Sequence, residues 1–404
     1  MKRAAMAIFI LAVLAGLCRP AGAAGFTETL PKSTFMLDTA AMISVVNKGW
    51  NNDGEAQPLM DDIERYEPGG GLQGVIKPEA EAAYYIWATQ IRYGIIDELT
   101  AVLALPVVVA NTVHPNLQWV SGDYQNQLGR PYSGDDFWQW AQSMGQPRPD
   151  DWSGNRWTMS DIILALRWRF SDRAPWFKLH DFHLALQVQG SLPTGTQKDP
   201  EEIVAAGTTS WDLHMGEFSI RLGADKLFTR ELDGRLQVGF EIFYEALFKH
   251  TYQTPRGTIH PLLLNYQPYV GDTYTIDPGD FFGASLEVAG VFWKGPVLDT
   301  WLTRKVENRD SLPPLLAGAV GYTFTYLGQS DWESDSEIWD WDQEKFWRPG
   351  YKNMLNFNVV ISLLRVGAPL QIYGNYRNLS WIPGKNCRAA DVYTAGIRLI
   401  AKFW

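Results

Sequence analysis

The 404-residue chain is long enough for one large β domain or for two or three domains of ordinary size. Its formal net charge of −10 argues against binding to nucleic acid, which requires a basic surface. Aromatic residues reach 13% and tryptophan occurs 18 times, so the composition favours either carbohydrate binding or an aromatic belt at a membrane interface.

Residues 1–23 are predicted to be an export signal. The basic "MKR" precedes the apolar "AAMAIFILAVLAGL", and an A-x-A-like cleavage site ends at Ala23. The apolar stretch is too short for a membrane span. A lipoprotein signal is rejected because the large Leu17 precedes Cys18, where a small residue is needed. After cleavage Cys387 is the one remaining cysteine, so no intramolecular disulfide is expected.

From residue 34 onward, apolar and polar residues alternate with period two, which predicts β-strands. Many of the candidate strands are 11–17 residues long, whereas strands of soluble proteins are usually about 5–6 residues long. One weak helix is predicted at 135–145. The twelve predicted strands cover 34–46, 83–94, 99–111, 160–170, 182–193, 212–228, 235–249, 281–293, 315–327, 354–364, 369–379 and 393–404.

The connections between these strands alternate in length. Short turns follow strands 2, 6 and 10 and a moderate one follows strand 4, while longer polar loops rich in Gly, Asp and Trp follow the odd-numbered strands; the long stretch 294–314 after strand 8 is the exception. This alternation is typical of an outer-membrane barrel. We therefore predict that 24–404 form a transmembrane, antiparallel, up-and-down β-barrel of about 12 strands, with long extracellular loops and both termini in the periplasm. The alternative is a soluble β-sandwich whose apolar faces point inward.

The final stretch, "YTAGIRLIAKFW", is an apolar strand that ends in two aromatic residues. It resembles the signal by which the barrel assembly machinery recognises outer-membrane proteins, and it is expected to pair with the first strand. Its predicted lipid-facing set is Ala395, Ile397, Leu399 and Phe403, and its predicted lumen-facing set is Thr394, Arg398 and Lys402. Trp404 lies one residue beyond this register and has no explanation.

The mixed faces of the strands are predicted to line a lumen. Twelve strands fall between the eight that side chains just fill and the sixteen that leave a channel, so a narrow, partly obstructed pore is expected. Its charges either pair across the lumen and hold the wall rigid, or form a constriction that selects a solute. The predicted pore-lining residues are Arg92, Arg167, Arg169, Glu217, Arg221, Glu241, Glu245, Arg377 and Arg398.

Four short motifs stand out in the chain: "GSLPTGT" (190–196), "AGTTSWDLHMG" (206–216), "RYGIIDELTAVLALPVVV" (92–109) and "WNNDG" (50–54). With these motifs the chain resembles the MetA-pathway of phenol degradation family of outer-membrane transporters. The positions that match the family's hallmark are Pro193, Thr194, Gly195, Gly207, Thr208, Trp211 and Asp212. The resemblance implies an exported barrel that moves small hydrophobic or aromatic compounds across the outer membrane. It supplies no catalytic residue.

Three functions stay open at this point. The first is a passive channel for small solutes in the bacterial outer membrane, which needs no cofactor and has lipid and solute as its partners. The second is a barrel enzyme acting on lipid or lipopolysaccharide, for which His214 with Ser210 is the candidate pair. The third is an adhesive barrel whose loops bind a partner.

Possible ion sites are weakly supported by the sequence. The acidic, Trp-rich stretch 330–347 offers carboxylates for Ca²⁺ or aromatic rings for a solute, but it lacks the spacing of an EF-hand. His180 and His183 lack further ligands nearby. We therefore predict no metal site and no enzymatic activity.

Overall fold

The computed structural model is a closed barrel of twelve antiparallel strands. Its described residues are 25–59, 62–67, 69–126, 129–143, 152–154, 156–197, 216–228, 235–254, 271–301, 303–306, 309, 312–334, 336 and 349–402. The barrel strands are β1 (Thr34–Trp50), β2 (Glu81–Ile96), β3 (Leu99–His114), β4 (Ile162–Trp168), β5 (Phe182–Leu192), β6 (Glu217–Leu227), β7 (Leu236–Leu247), β8 (Phe281–Trp293), β9 (Leu316–Leu327), β10 (Gly350–Ser362), β11 (Leu370–Asn378) and β12 (Cys387–Lys402). Each predicted strand corresponds to one of these, so the predicted fold class is confirmed.

The barrel closes between its first and last strands. β1 and β12 pair from Thr34 opposite Lys402 to Trp50 opposite Cys387, with one irregularity between Val46 and Lys48. All other neighbours in the barrel are consecutive along the chain, and each pair is antiparallel. This is the up-and-down topology that the connection lengths predict, and the seam is the one expected for the final strand.

The apolar faces of the strands point outward. On the outer surface Leu166 is 51% exposed and Leu286 is 49% exposed, whereas the inward-facing Ser219 and Arg398 are 0% and 3% exposed. An apolar surface that continues around the wall is unfavourable in water and suits lipid. The sandwich alternative is wrong, because it requires the apolar faces to be buried against each other.

Aromatic side chains mark both rims of this apolar surface. They are the outward-facing Tyr93, Trp168 and Trp293 at the periplasmic ends of their strands, and Tyr85, Tyr244 and Tyr326 towards the outer ends. Two rings of aromatic residues are typical of the two lipid–water interfaces of a membrane barrel. The tryptophan-rich composition therefore reflects the membrane interface at least in part.

The long outer loops contain structure that the sequence pattern did not reveal. One small sheet joins Ile63–Tyr66, Leu72–Pro78 and Leu117–Ser121, and a second joins His250–Gln253, Thr273–Asp277 and Asp331–Ser334. Three shorter strands, Ala56–Pro58, Trp152–Gly154 and Thr158–Met159, pair with the outer parts of β1 and β3. Each of these loop strands is two to seven residues long, which is too short to show a clear alternation of apolar and polar residues.

Helices are few and short. Helix α1 (Gly134–Ser143) agrees with the predicted helix, and α2 (Pro175–Leu179) lies between β4 and β5. Short 3₁₀ turns occur at Phe170–Arg173, Thr303–Lys305 and Leu363–Val366. None of the helices among the described residues is long and apolar enough to cross a bilayer.

Several strand bounds differ from the predicted ones. β4 is shorter than 160–170, because its ladder with β3 is interrupted at 160–161, before which Thr158–Met159 pair with β3 again, and because it ends at Trp168. β1 and β12 are longer than predicted, since their polar outer ends continue the ladder above the apolar belt. The loop between β11 and β12 is therefore a short one, 379–386.

The lipid-facing surface generates a stability prediction. The substitution Leu286→Arg places a charge on the outer wall and should lower the free energy of unfolding by about 2–4 kcal/mol. Guanidinium titration of the protein in phospholipid vesicles measures this change in the free energy of unfolding. The matched control is Leu298→Arg, which is equally exposed but lies between β8 and β9, outside the wall. Equal effects of the two substitutions would contradict the assignment of the lipid face.

Candidate functional site: the barrel lumen

The charged residues inside the barrel are unevenly distributed by sign. One side of the ring, formed by β11, β12, β1 and β2, carries what we term the arginine wall: Arg92, Arg377 and Arg398. The strands β6, β7 and β8 carry the acidic wall: Glu217, Asp225, Glu241, Glu245 and Glu287. In a closed ring of twelve strands these two groups lie opposite each other, so an electric field crosses the lumen between them.

A single carboxylate organises the arginine wall. Asp38 Oδ2 accepts a hydrogen bond from Arg398 Nε at 2.8 Å, and Asp38 Oδ1 accepts one from the Tyr373 hydroxyl at 2.7 Å. Arg92 Nη2 lies 3.7 Å from the same carboxylate, while its Nε donates to Gln90 Oε1 at 2.6 Å. These side chains come from four adjacent strands, so Asp38 ties that part of the wall together.

The acidic wall has a corresponding cation. Arg221 reaches Glu241 and Glu245 at 3.4 Å each, and its guanidinium lies 4.8 Å from the centre of the Phe243 ring. Arg221 of β6 is thus bound to two carboxylates of the neighbouring strand β7. Gln189 Nε2 donates to Glu217 Oε1 at 2.9 Å.

Two further arginines bind neutral amides. Arg167 donates to Gln187 Oε1 through Nε at 2.9 Å and through Nη2 at 2.5 Å. Arg377 Nε donates to Asn375 Oδ1 at 3.0 Å. Each amide oxygen accepts from a guanidinium and so fixes its orientation in the lumen.

A cavity of about 40 Å³ lies between the two walls. At roughly 10–15 Å³ for each water, it has room for about three water molecules. Its polar lining is Arg167, Glu241, Ser285, Glu287, Thr323, Asn356, Asn358, Asn375 and Arg377. The site therefore offers both signs of charge and several amides to a small molecule at the centre of the barrel.

The outer half of the lumen is apolar on one side. The inward-facing side chains of β1, β2, β3 and β12 form a buried cluster there, and Leu59 of an outer loop and Met354 pack against it. Its members are Met42, Val46, Ala82, Tyr84, Ile86, Val108, Val113, Leu379, Ala390 and Val392. The sequence contained a signal for this cluster, because both faces of "AAMISVV" are apolar.

Residues 25–30 fold back into the lumen, and we term them the N-terminal segment. The N–H groups of Phe26 and Thr27 donate to the Asp225 carboxylate at 3.1 and 2.6 Å, and the Thr27 hydroxyl donates to it at 2.6 Å. Farther along, the Leu30 N–H donates to Thr100 Oγ1 at 2.8 Å. Sequence reasoning missed this segment and Asp225, since no hydrophobic period marks a short lumenal peptide.

Eight of the nine predicted pore-lining residues are buried and point inward; they are Arg92, Arg167, Glu217, Arg221, Glu241, Glu245, Arg377 and Arg398. Arg169 is not with them. It lies beyond the end of β4, where its Nε donates to Asp172 Oδ2 at 2.7 Å. The prediction for Arg169 assumed that the strand continues past Trp168, but the strand ends there, so Arg169 does not belong to the inward-facing set.

The Pro-Thr-Gly motif has a structural role at the outer rim. The Thr194 hydroxyl accepts a hydrogen bond from the Ile162 N–H at 3.0 Å, and the Gly195 N–H donates to Asp161 Oδ1 at 2.7 Å. These bonds join the outer ends of β4 and β5. The rest of that hallmark, at 207–212, lies outside the described residues.

Other candidate sites are only partly described. Ser210, His214, Phe403 and Trp404 lie outside the described residues, as does most of 330–347, of which Asp331–Ser334 form a strand. Among the residues that the structure describes, no three His, Cys, Asp or Glu side chains are grouped to hold a metal ion. The enzyme and calcium hypotheses therefore stay predictions.

Solved structures share the architecture of this chain. The COG4313 outer membrane channel from Pseudomonas putida F1 matches with a TM-score of 0.52 and 11% identity, covering 94% of this chain and 99% of that one. This protein has the fold of an outer-membrane β-barrel. The translocator domain of the autotransporter NalP from Neisseria meningitidis matches with a TM-score of 0.42 and 9% identity, covering 98% of this chain and 96% of that one.

A hydrocarbon transporter is also among the matches. The toluene transporter TbuX from Ralstonia pickettii matches with a TM-score of 0.34 and 7% identity, covering 93% of this chain and 90% of that one. No family model matches the chain, and no curated protein does so either. The likeness at these identities concerns the fold, and the family resemblance seen in the motifs stays a prediction.

The Asp38 cluster generates the next prediction. Asp38→Asn removes the charge that Arg398 and Arg92 share, and it should lower the free energy of unfolding by about 1–3 kcal/mol. Guanidinium titration in vesicles measures the change. Asp299→Asn is the control, since its ion pairs with Arg304 and Arg309 are exposed and should contribute less than about 1 kcal/mol. A loss for Asp38→Asn no larger than that of the control would refute the role of Asp38.

Proposed function

We propose that this outer-membrane barrel is a passive channel for small solutes. The observation that supports this most is the cavity between the arginine wall and the acidic wall, in the centre of a twelve-stranded barrel. A barrel of this size has an interior larger than its side chains need to fill, and charged rings in such an interior select the solutes that pass.

The lumen favours solutes with an apolar body and a polar or charged group. Its outer half presents the buried apolar cluster, and its centre presents arginines, carboxylates and amides. A small aromatic acid matches both parts, because its ring can contact the apolar side chains while its carboxylate faces Arg377 or Arg167. The motif resemblance to transporters of aromatic compounds agrees with this solute class.

The charge separation also orients such a solute. An anionic group is attracted towards Arg92, Arg377 and Arg398 and repelled by the acidic wall opposite. Orientation across the pore, rather than tight binding, is what a conducting site needs, because the solute must leave as readily as it enters. We therefore expect selectivity with weak affinity.

Liposome swelling tests the proposal. Proteoliposomes should take up benzoate faster than gluconate, a non-aromatic carboxylate, and protein-free liposomes should take up neither quickly. Planar bilayers should show discrete conductance steps. If the protein produces neither swelling nor conductance, the channel proposal is wrong.

A substitution tests the part played by the arginine wall. Arg377→Gln keeps the size and hydrogen-bonding capacity of the side chain but removes its charge, and it should lower benzoate uptake roughly fivefold, corresponding to about 1 kcal/mol. Arg304→Gln is the control, because Arg304 is exposed between β8 and β9. Equal uptake by the two variants would show that Arg377 does not select the solute.

A further inference from the structure

The N-terminal segment sits in a place that the barrel wall is shaped to receive. A Cβ atom added to Gly223 would lie 2.9 Å from Phe26 Cβ, and one added to Gly239 would lie 2.8 Å from Phe26 Cδ2. A Cβ added to Gly94 would lie 2.6 Å from the Leu30 carbonyl oxygen. Glycine weakens a strand and commonly marks a close approach of another backbone. Three inward-facing glycines on three strands therefore form a groove for this segment.

Polar anchors hold the segment along its length. Asp225, which is 1% exposed, accepts the three hydrogen bonds from Phe26 and Thr27. The Glu28 carbonyl accepts one from Arg167 Nη1 at 3.3 Å, and the carbonyl of Asp97 accepts one from the Thr29 hydroxyl at 2.8 Å. A carboxylate that receives several donors from one short peptide binds it in a defined register.

The seated segment occupies space that a solute needs. Gly25 and Phe26 line the 40 Å³ cavity, and a second cavity of about 10 Å³ is lined by Glu28, Thr29 and Leu30. An apolar cavity of about 150 Å³ is the size that accommodates benzene. Neither of these two cavities therefore has room for an aromatic ring while the segment is seated.

The segment joins β1 through a turn in which Pro31 and Lys32 are exposed and Ser33 has a φ of 59°, a left-handed conformation. The turn itself is fixed beside β2, because the Ser33 N–H donates to the Gly94 carbonyl at 2.8 Å and the Lys32 N–H donates to Asp97 Oδ1 at 2.8 Å. The segment's partners Asp225, Arg167 and Thr100 all face the lumen, so water can replace the peptide at each of them. A segment buried in an apolar core would have no such replacement.

From these contacts we propose that the N-terminal segment is a gate: seated on Asp225 it closes the lumen, and released from Asp225 it opens the lumen to solute. This inference rests on the proposed channel function and adds its regulation. The glycine groove sets where the segment lies, the Asp225 carboxylate holds it there, and the exposed turn at Pro31–Ser33 is the hinge.

Weakening the anchor should open the channel. Asp225→Asn replaces a charged acceptor by a neutral one, so the open fraction in planar bilayers should rise about tenfold. The matched control, Asp299→Asn, removes an exposed carboxylate outside the lumen and should leave conductance unchanged. If Asp225→Asn conducts no more than the control, the gate is refuted.

Locking the segment should close the channel. The double variant Phe26→Cys with Gly223→Cys, in a Cys387→Ser background, brings two thiols close enough to form a disulfide after a small shift. The oxidised protein should lose benzoate uptake and conductance, and dithiothreitol should restore both. The two single-cysteine variants should not respond to dithiothreitol.

The outcomes separate this inference from the function on which it rests. If the native protein conducts and the oxidised double variant conducts equally, the gate is refuted while the channel stands. If neither the native protein, Asp225→Asn nor the reduced double variant conducts, the channel proposal fails and the gate fails with it. If the native protein does not conduct and Asp225→Asn does, the result supports both the channel and the gate.

Discussion

The whole structure depends on satisfying backbone hydrogen bonds inside lipid. A strand with an unpaired edge would expose N–H and C=O groups to hydrocarbon, where no water can bind them. The seam between β1 and β12 removes the last such edge, and it does so along the full length of β1. Closure in turn forces one face of every strand outward and the other inward, which is why apolar and polar residues alternate so strictly along the chain.

Closure of the barrel also places the polar face of every strand in one narrow lumen. Many polar and charged side chains are brought together in a narrow space, and each must find a partner or water. The barrel meets this need with local clusters: Asp38 binds Arg398 and lies near Arg92 on one wall, while Arg221 binds Glu241 and Glu245 on the other. Each cluster joins neighbouring strands, so the same contacts that satisfy the charges also fix the wall.

The strands of the barrel could be predicted from the sequence, because the alternation of apolar and polar residues is a property of each strand by itself. The twelve strands, the lipid face of "YTAGIRLIAKFW" up to Leu399 and the inward direction of eight charged residues all follow from that local pattern. What the pattern could not show depends on contacts between distant residues. The seating of Phe26 against Gly223, the apolar cluster around Met42 and the small sheets of the outer loops are of this kind.

The anchor of the N-terminal segment has a consequence for the order of folding. Thr27 and Asp225 are 198 positions apart in the chain, and Gly223 and Gly239 belong to strands on the far side of the ring from β1. Contacts of such separation form late, since loop-closure entropy must be overcome first. The groove for the segment does not exist until the two halves of the wall face each other. A seated N-terminal segment is thus a mark of a completed barrel, because an incomplete barrel lacks the groove that holds it.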